Sequence, residues 1–237
     1  MPTQSLLYEK QVPINDSIHI VIPTVGDVID NEDEYYSLVF ALTASPIDMM
    51  VQLDDIGVDF TTINDYELFL LLFSSMQEQD THLVFGDLDL KQFELAVSSQ
   101  NNNLILVDKA NHIIIDRAIH GQIANTLRRI HHLEKNLKKP ANKEAKAFML
   151  ERARAKLKRE RNKKKESQTE SLIVAMVNTE QFKYDFESTR SLSIFQFNES
   201  VHQIIKKVDY DNRMYGVYAG TINAKELSRD DLNWLTH

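Results

Sequence analysis

The sequence predicts an α+β fold that is mostly α-helical. It is expected to have a small N-terminal α+β domain with a β-hairpin, a long basic helical arm and a C-terminal helical domain. Three observations predict this class. The segments typical of strands lie in the first half of the chain, apolar residues recur at helical spacing afterwards, and basic residues are concentrated between the two regions. The predicted parts are residues 1–115, 116–166 and 167–237.

The predicted strands are short. Residues 18–23 form a β-branched run closed by proline, which is typical of a strand, and a second strand is predicted at His82–Phe85. Residues 104–107 and 112–115 flank a four-residue polar loop, which indicates a β-hairpin. The N-terminal part is therefore expected to contain both strands and helices.

Capping residues mark the starts of the N-terminal helices. Asn31 with Glu34 and Asn64 with Glu67 have N-cap spacing. Ser45 is followed by a proline, which is favoured in the first helical turn. Helices are predicted at 32–43, 46–55 and 65–77, with an amphipathic stretch at 90–98.

The basic arm is predicted to contain two helices. From Asp116, a predicted N-cap, apolar residues recur every three or four positions up to Leu137, which predicts a helix of about twenty residues. Pro140 is expected to end or kink it, and a second helix is predicted from Asn142. Residues 128–165 contain 16 basic and four acidic residues, a net charge of +12, whereas the remainder contains 11 basic and 31 acidic residues, a net charge of −20.

This asymmetry predicts one of three binding modes for the arm: a polyanion, an acidic partner protein or the acidic parts of the chain itself. Phe148 is the one aromatic residue of the arm, so stacking on bases is not expected. A connector or protein-docking helix and a nucleic-acid-binding helix are both kept as hypotheses. The predicted partner-binding residues are Arg128, Arg129, Lys138, Lys139, Arg152, Arg154, Lys156, Lys158, Arg159, Arg161 and Lys163.

The C-terminal part is predicted to be helical. Residues 171–177 are apolar nearly all round and are expected to pack in a core. A capped helix is predicted from Ser193, and Gly220 is expected to end the helical stretch before it. A final turn starting at Ser228 is predicted to bury Leu232, Trp234 and Leu235.

Composition excludes several classes of protein. The chain has no cysteine, so disulfides and thiolate sites are excluded and a reducing compartment, the cytoplasm, is expected. Its six glycines are scattered, so no glycine-rich phosphate loop occurs. No window approaches the roughly 18–20 apolar residues of a membrane span. We expect a soluble protein with no membrane partner and no cofactor.

Carboxylate pairs are the first candidates for chemistry. Asp54 with Asp55, and Asp87 with Asp89, have the ligand type that hard cations prefer. No further ligand stands at a supporting spacing, and acidic residues at helix ends are commonly caps. We therefore interpret them as capping residues and predict no metal site.

Histidines are the second candidates. His131 and His132 are adjacent and point about 100° apart on a helix, whereas a zinc helix places its histidines on one face. Together with His120, they are expected on the exposed flank of the arm. No catalytic residue is predicted, and we expect the protein not to be an enzyme.

Five segments of the chain together carry a resemblance to known proteins. They are Ile22-Pro23-Thr24-Val25-Gly26, Leu53-Asp54-Asp55-Ile56-Gly57, Phe85-Gly86-Asp87-Leu88, Ile115-Asp116-Arg117-Ala118-Ile119 and Asp211-Asn212-Arg213-Met214-Tyr215-Gly216-Val217-Tyr218-Ala219-Gly220. With these segments the chain resembles a group of tailed-phage and prophage proteins from the tail and baseplate assembly region.

The chain is similar in character to tail assembly chaperones, which are helical, mostly acidic and non-enzymatic. The resemblance implies a morphogenesis protein that binds other phage structural proteins, in the host cytoplasm or in the virion tail. The long basic arm departs from the usual small chaperone, which keeps a structural component of the tail or baseplate as an alternative. A nucleic-acid-binding accessory protein is the other alternative, and a homo-oligomer is left open.

Overall fold

The computed structural model describes residues 5–99, 102–161, 166–229 and 231–235. The described residues form ten α-helices and five short strands, which confirms the mostly α-helical α+β class. The helices are α1 Val25–Asp30, α2 Glu32–Thr43, α3 Met50–Asp55, α4 Asp65–Gln77, α5 His82–Phe85, α6 Arg117–His131, α7 Lys143–Glu160, α8 Gln168–Val177, α9 Phe186–Arg190 and α10 Ile194–Tyr218. The strands are β1 Gln11–Pro13, β2 His19–Val21, β3 Glu94–Val97, β4 Leu104–Asp108 and β5 Ile113–Ile115.

The strands form two small antiparallel sheets. β1 pairs with β2, and the second sheet has the order β3-β4-β5. The predicted hairpin is confirmed as β4 and β5, with Leu106 opposite Ile115. The amphipathic stretch after α5 contributes a 3-10 turn at Leu90–Gln92 and then β3, which adds a third strand to the hairpin.

The strand predicted at His82–Phe85 is wrong, because this segment is the short helix α5. Asp80 Oδ1 accepts a hydrogen bond from the His82 N–H at 2.9 Å, and the Phe85 N–H donates to Thr81 O at 2.8 Å. These bonds satisfy the backbone within one turn. Val84 and Phe85 are buried. The apolar residues that suggested a strand are therefore the ones with which this short helix packs in the core.

Two of the three predicted N-terminal helices, α2 and α4, have the predicted limits. The third, α3, begins at Met50 and not at Pro46. Asp48 Oδ2 accepts a hydrogen bond from the Ser45 N–H, and the Asp48 N–H donates to Ser45 O. These two bonds close a turn, which occupies the place of the expected first helical turn.

A hydrophobic core extends over most of the chain. Its buried members run from Leu6 to Phe197 and include Phe69 of α4 and Ile123 and Leu127 of α6. The first half of the predicted arm is therefore part of this core. A second cluster lies beneath α7 and consists of Ala44, Ile47, Leu53, Phe60 and Leu68.

Backbone hydrogen bonds join two segments of this core that are far apart in the sequence, residues 23–25 and residues 192–194. Thr24 and Ser193 form an isolated antiparallel bridge. The Val25 N–H donates to Leu192 O, and the Ile194 N–H donates to Pro23 O, both at 2.8 Å. The start of α10 is thus fixed directly against the start of α1.

Helix α6 is shorter than predicted. Asp116 caps it as expected, accepting from the Ala118 N–H at 2.9 Å, but it ends at His131 because His132 adopts a left-handed conformation with φ of +51°. Leu137 is 74% exposed. The apolar stripe is therefore no longer buried at Leu137. Residues 132–142 connect α6 to α7 without forming a helix.

The C-terminal part is helical, as predicted, but less buried. In α8, Ile173 and Met176 are buried whereas Val174 is 47% exposed, so only one face packs. Ser193 caps α10 as predicted. The predicted burial of the final turn is wrong for Leu232 and Leu235, which are 42% and 64% exposed. None of the described helices is long and apolar enough to cross a membrane.

Candidate partner-binding surface on the basic arm

The second helix of the predicted basic arm is α7, which begins after a capping asparagine and is called the arm from here on. Asn142 Oδ1 accepts a hydrogen bond from the Ala145 N–H at 2.8 Å, which confirms the predicted start. Glu144 lies in the first turn, and Lys158 and Arg159 lie in the last. This order of charges complements the helix dipole, and the many alanine, lysine, arginine and glutamate residues favour helix.

The first half of α7 docks on α3 and the loop after it. Met149 and Leu150 pack against the second hydrophobic cluster. Lys146 Nζ lies 2.6 Å from Asp59 Oδ2 and 5.4 Å from the centroid of the Phe60 ring. The hydrogen bond from Lys146 lowers the pKa of Asp59 to about 2. Apolar burial and ion pairing therefore act together in this half.

Arg154 completes the docking. One guanidinium nitrogen lies 2.7 Å from Asp54 Oδ2 and the other 2.7 Å from Asp55 Oδ1. The planar fork of arginine suits such a double contact. The three side chains are roughly half exposed, so the pairs add little stability in salt, but they fix the direction of α7. The two aspartates, predicted to be helix-end caps, are instead an acidic anchor for the arm.

Arg154→Glu is expected to release α7 from this anchor, because it places a third carboxylate beside two others. The amides of α7 should exchange hydrogen about five- to tenfold faster. Hydrogen exchange followed by mass spectrometry measures the effect. Arg159→Glu, which makes the same charge change beyond the docked half, serves as the control and should leave residues 143–154 unaffected.

The distal arm, residues 156–161, carries basic side chains that face solvent. No residue of α7 is buried. Within the described ranges, no ion pair involves Lys158, Arg159 or Arg161. Among the described residues, Lys156 pairs with Glu160 of the same helix at 3.7 Å. This end of the arm therefore presents positive charge that the rest of the described chain does not neutralise.

Arg152 extends the basic surface toward the docked half. Its guanidinium carbon lies 5.6 Å from the centroid of the Phe148 ring, and Phe148 is 58% exposed. Stacking on an aromatic ring is a common arrangement of arginine. The pair forms a partly apolar patch next to the distal arm.

The remaining predicted site residues lie in different places. Arg128 has a side chain that is 11% exposed, and it donates a hydrogen bond to Thr43 O, so it serves the fold. Arg129 is exposed on α6. Lys138 and Lys139 are exposed in the connection between α6 and α7 and line a cavity there. Lys163 lies outside the described residues.

Two of the three histidines expected on the exposed flank are not exposed, since His120 is buried and His131 is half-buried. His120 is 3% exposed, and its ring stacks on Phe69 with centroids 4.4 Å apart. His131 Nε2 lies 2.8 Å from Tyr35 Oη. Burial lowers the pKa of His120 and of His131 to about 4. Both rings are therefore neutral near pH 7. They lie on the face of α6 that packs against the core.

The acidic pairs show no geometry of a cation site. Asp89 caps the 3-10 turn by accepting from the Lys91 N–H at 2.9 Å, in agreement with the capping interpretation. In the part of the chain that the structure describes, no group of three or more histidine and carboxylate side chains is placed to hold a metal ion.

Comparison with protein-family models gives a match for the C-terminal part of the chain. Residues 162–237 match the family model described as the YomV second domain, a phage- or prophage-type family. The match begins after α7 and covers α8, α9 and α10. Searches of curated proteins and of solved structures found no significant match.

Proposed function

We propose that this protein is a non-enzymatic phage morphogenesis factor that acts in tail or baseplate assembly by binding other phage structural proteins. The observation that carries the proposal is the distal arm, which projects uncompensated basic side chains from a helix whose other half is docked. The match of the C-terminal third to a phage-type domain supports the phage context. The site of action is the host cytoplasm or the assembling virion tail.

The proposed mechanism uses two oppositely charged surfaces. The distal arm binds an acidic surface of the partner and, because α7 is held by Arg154, presents its charges in a fixed direction. A cleft of about 1080 Å³ beside α2 carries Glu32, Glu34 and the 47% exposed Phe40 on its wall. This acidic cleft with an apolar side chain is the second contact, suited to a basic segment of the partner.

Reversing the charge of the distal surface is expected to weaken partner binding at least tenfold, which corresponds to about 1.4 kcal/mol. The variant is Arg152→Glu, Lys158→Glu, Arg159→Glu and Arg161→Glu. It leaves Arg154 in place, so α7 stays docked. Binding is measured by co-purification with proteins encoded by neighbouring genes, after nuclease treatment and at physiological salt.

The matched control reverses four exposed basic residues that lie outside the arm. These are Lys91, Lys183, Lys225 and Arg229. The control carries the same total charge change and should retain the partner. If the arm variant retains the partner as well as the control does, α7 is only a connector and the mechanism is wrong.

Binding of nucleic acid is the second candidate function. The solvent-facing cations of the distal arm favour phosphate contacts, and the lack of aromatic residues beyond Phe148 restricts them to backbone binding. Four phosphate contacts would give a slope of about −3.6 in a plot of log K against log salt for any duplex. Fluorescence anisotropy with two unrelated duplexes tests this. Equal, steeply salt-dependent binding that the arm variant abolishes would favour this function over protein binding.

A further inference from the structure

We propose that a basic cleft between α4, α6 and the start of α7 binds a small anion that carries a di- or triphosphate chain. The cleft consists of two adjoining cavities of about 760 and 240 Å³. Their walls share Asn64, Asp65 and Lys135. This site is independent of the distal arm, which lies at the other end of α7.

Positive charge dominates the walls of this cleft. Seven basic and two acidic side chains line the two cavities together. Asp65 already pairs with Lys135 at 2.5 Å and lies 3.9 Å from Arg128. Asp59 pairs with Lys146. Both carboxylates are therefore in use, and the cleft keeps a formal surplus of positive charge.

Most of the surplus lies on the connection between α6 and α7 and on the first residue of α7. Lys138, Lys139 and Lys143 line the larger cavity, and no ion pair joins any of them to a residue that the structure describes. Like charges at this spacing repel one another, and a multivalent anion relieves the repulsion. A phosphate chain supplies two to four negative charges within the length of such a cavity.

Two residues that line the cleft have a buried polar side-chain atom, Ser45 Oγ and His120 Nε2. Ser45 lines the larger cavity, and His120 lines the smaller one. Each residue is 3% exposed, and neither atom has a hydrogen-bond partner among the described residues. Buried polar atoms are normally satisfied. The Ser45 hydroxyl can donate to a phosphate oxygen, and His120 Nε2 is available for a further polar group of the ligand.

The start of α7 adds a favourable dipole. Its capping residue Asn142 and its first residue Lys143 line the larger cavity, and the helix extends over 18 residues. Backbone N–H groups at a helix N-terminus attract phosphate. Phe60, Ile63 and Leu137 lie on the same wall, which gives an organic group attached to the phosphate chain an apolar surface.

Isothermal titration of the full chain with tripolyphosphate tests the proposal. At about 0.15 M salt, where distant charges are screened, we expect one saturable site with Kd below about 1 mM. The triple variant Lys138→Ala, Lys139→Ala and Lys143→Ala should weaken binding at least tenfold. A control variant, Lys158→Ala, Arg159→Ala and Arg161→Ala, removes the same charge from the distal arm and should keep the affinity within about twofold.

No saturable binding, or an equal loss in the two triple variants, would overturn the proposal, because it would indicate attraction by net charge alone. Ser45→Ala provides a second readout. It should weaken tripolyphosphate binding about three- to tenfold while leaving the thermal midpoint of the free protein unchanged or higher, since an unsatisfied hydroxyl is removed. Titration with ATP separates two sources of the phosphate chain: tighter binding than tripolyphosphate assigns a nucleotide, and equal binding assigns a free phosphate chain.

Discussion

Replacing Leu127 with alanine is expected to lower the free energy of unfolding by about 2–5 kcal/mol. Leu127 lies on α6 and is fully buried in the main hydrophobic core. The change removes several buried methyl and methylene groups and leaves a cavity that the surrounding helices fill only in part. Urea denaturation followed by circular dichroism measures the effect from the transition midpoint and its slope.

Leu137→Ala is the matched control, because it makes the same chemical change in the same predicted apolar stripe. Leu137 is 74% exposed, so its replacement should alter stability by no more than about 0.5 kcal/mol. Equal effects of the two substitutions would contradict the division of this stripe into a buried helix and an exposed connection.

Acidification from pH 7.5 to pH 5 is expected to lower the free energy of unfolding by about 4 kcal/mol, or about 2 kcal/mol for each of two histidines. The pKa values of His120 and His131 are lowered from 6.5 to about 4 in the folded chain. The unfolded chain therefore binds protons first as the pH falls. The stabilisation is complete above pH 6.5 and is lost progressively as the pH falls toward 4.

Urea unfolding at pH 7.5, 6 and 5 measures this dependence. Asp59 contributes mainly below this range, because the hydrogen bond from Lys146 lowers its pKa from an ordinary value near 4 to about 2. His131→Gln keeps a polar side chain near Tyr35 but cannot titrate, so the loss of stability between pH 7.5 and pH 5 should be about half that of the parent chain. An unchanged pH dependence in this variant would show that carboxylates cause the effect.

The local part of the fold could be predicted from the sequence. Capping is a short-range interaction, so Asn64, Asp116, Asn142 and Ser193 correctly marked the starts of four helices. The hairpin was predictable for the same reason, since its two strands are joined by a short polar loop. The limits of α4 followed from such signals together with apolar spacing, whereas α2 has the predicted limits although its predicted cap, Asn31, makes no side-chain capping hydrogen bond.

Contacts between distant residues could not be predicted. Arg154 and Asp54 are 100 positions apart, and neither residue type nor spacing indicates that they meet. The charge count showed that the arm could bind acidic residues of its own chain, but it did not separate the docked half from the distal arm. His120 was predicted to be exposed but is buried. An amphipathic stripe shows which residues share a face of the helix, but it does not show how wide the buried part of that face is.

The pairing of Thr24 with Ser193 has a consequence for synthesis of the protein. The backbone partner Leu192 and the core side chain Phe197 are made about 170 residues after helix α1, which takes roughly 10–30 seconds at translation rates of about 5–20 residues per second. During that interval the apolar face of α1 that packs against α9 and α10 is exposed. The nascent chain is therefore exposed to aggregation and to chaperones until the start of α10 has been made.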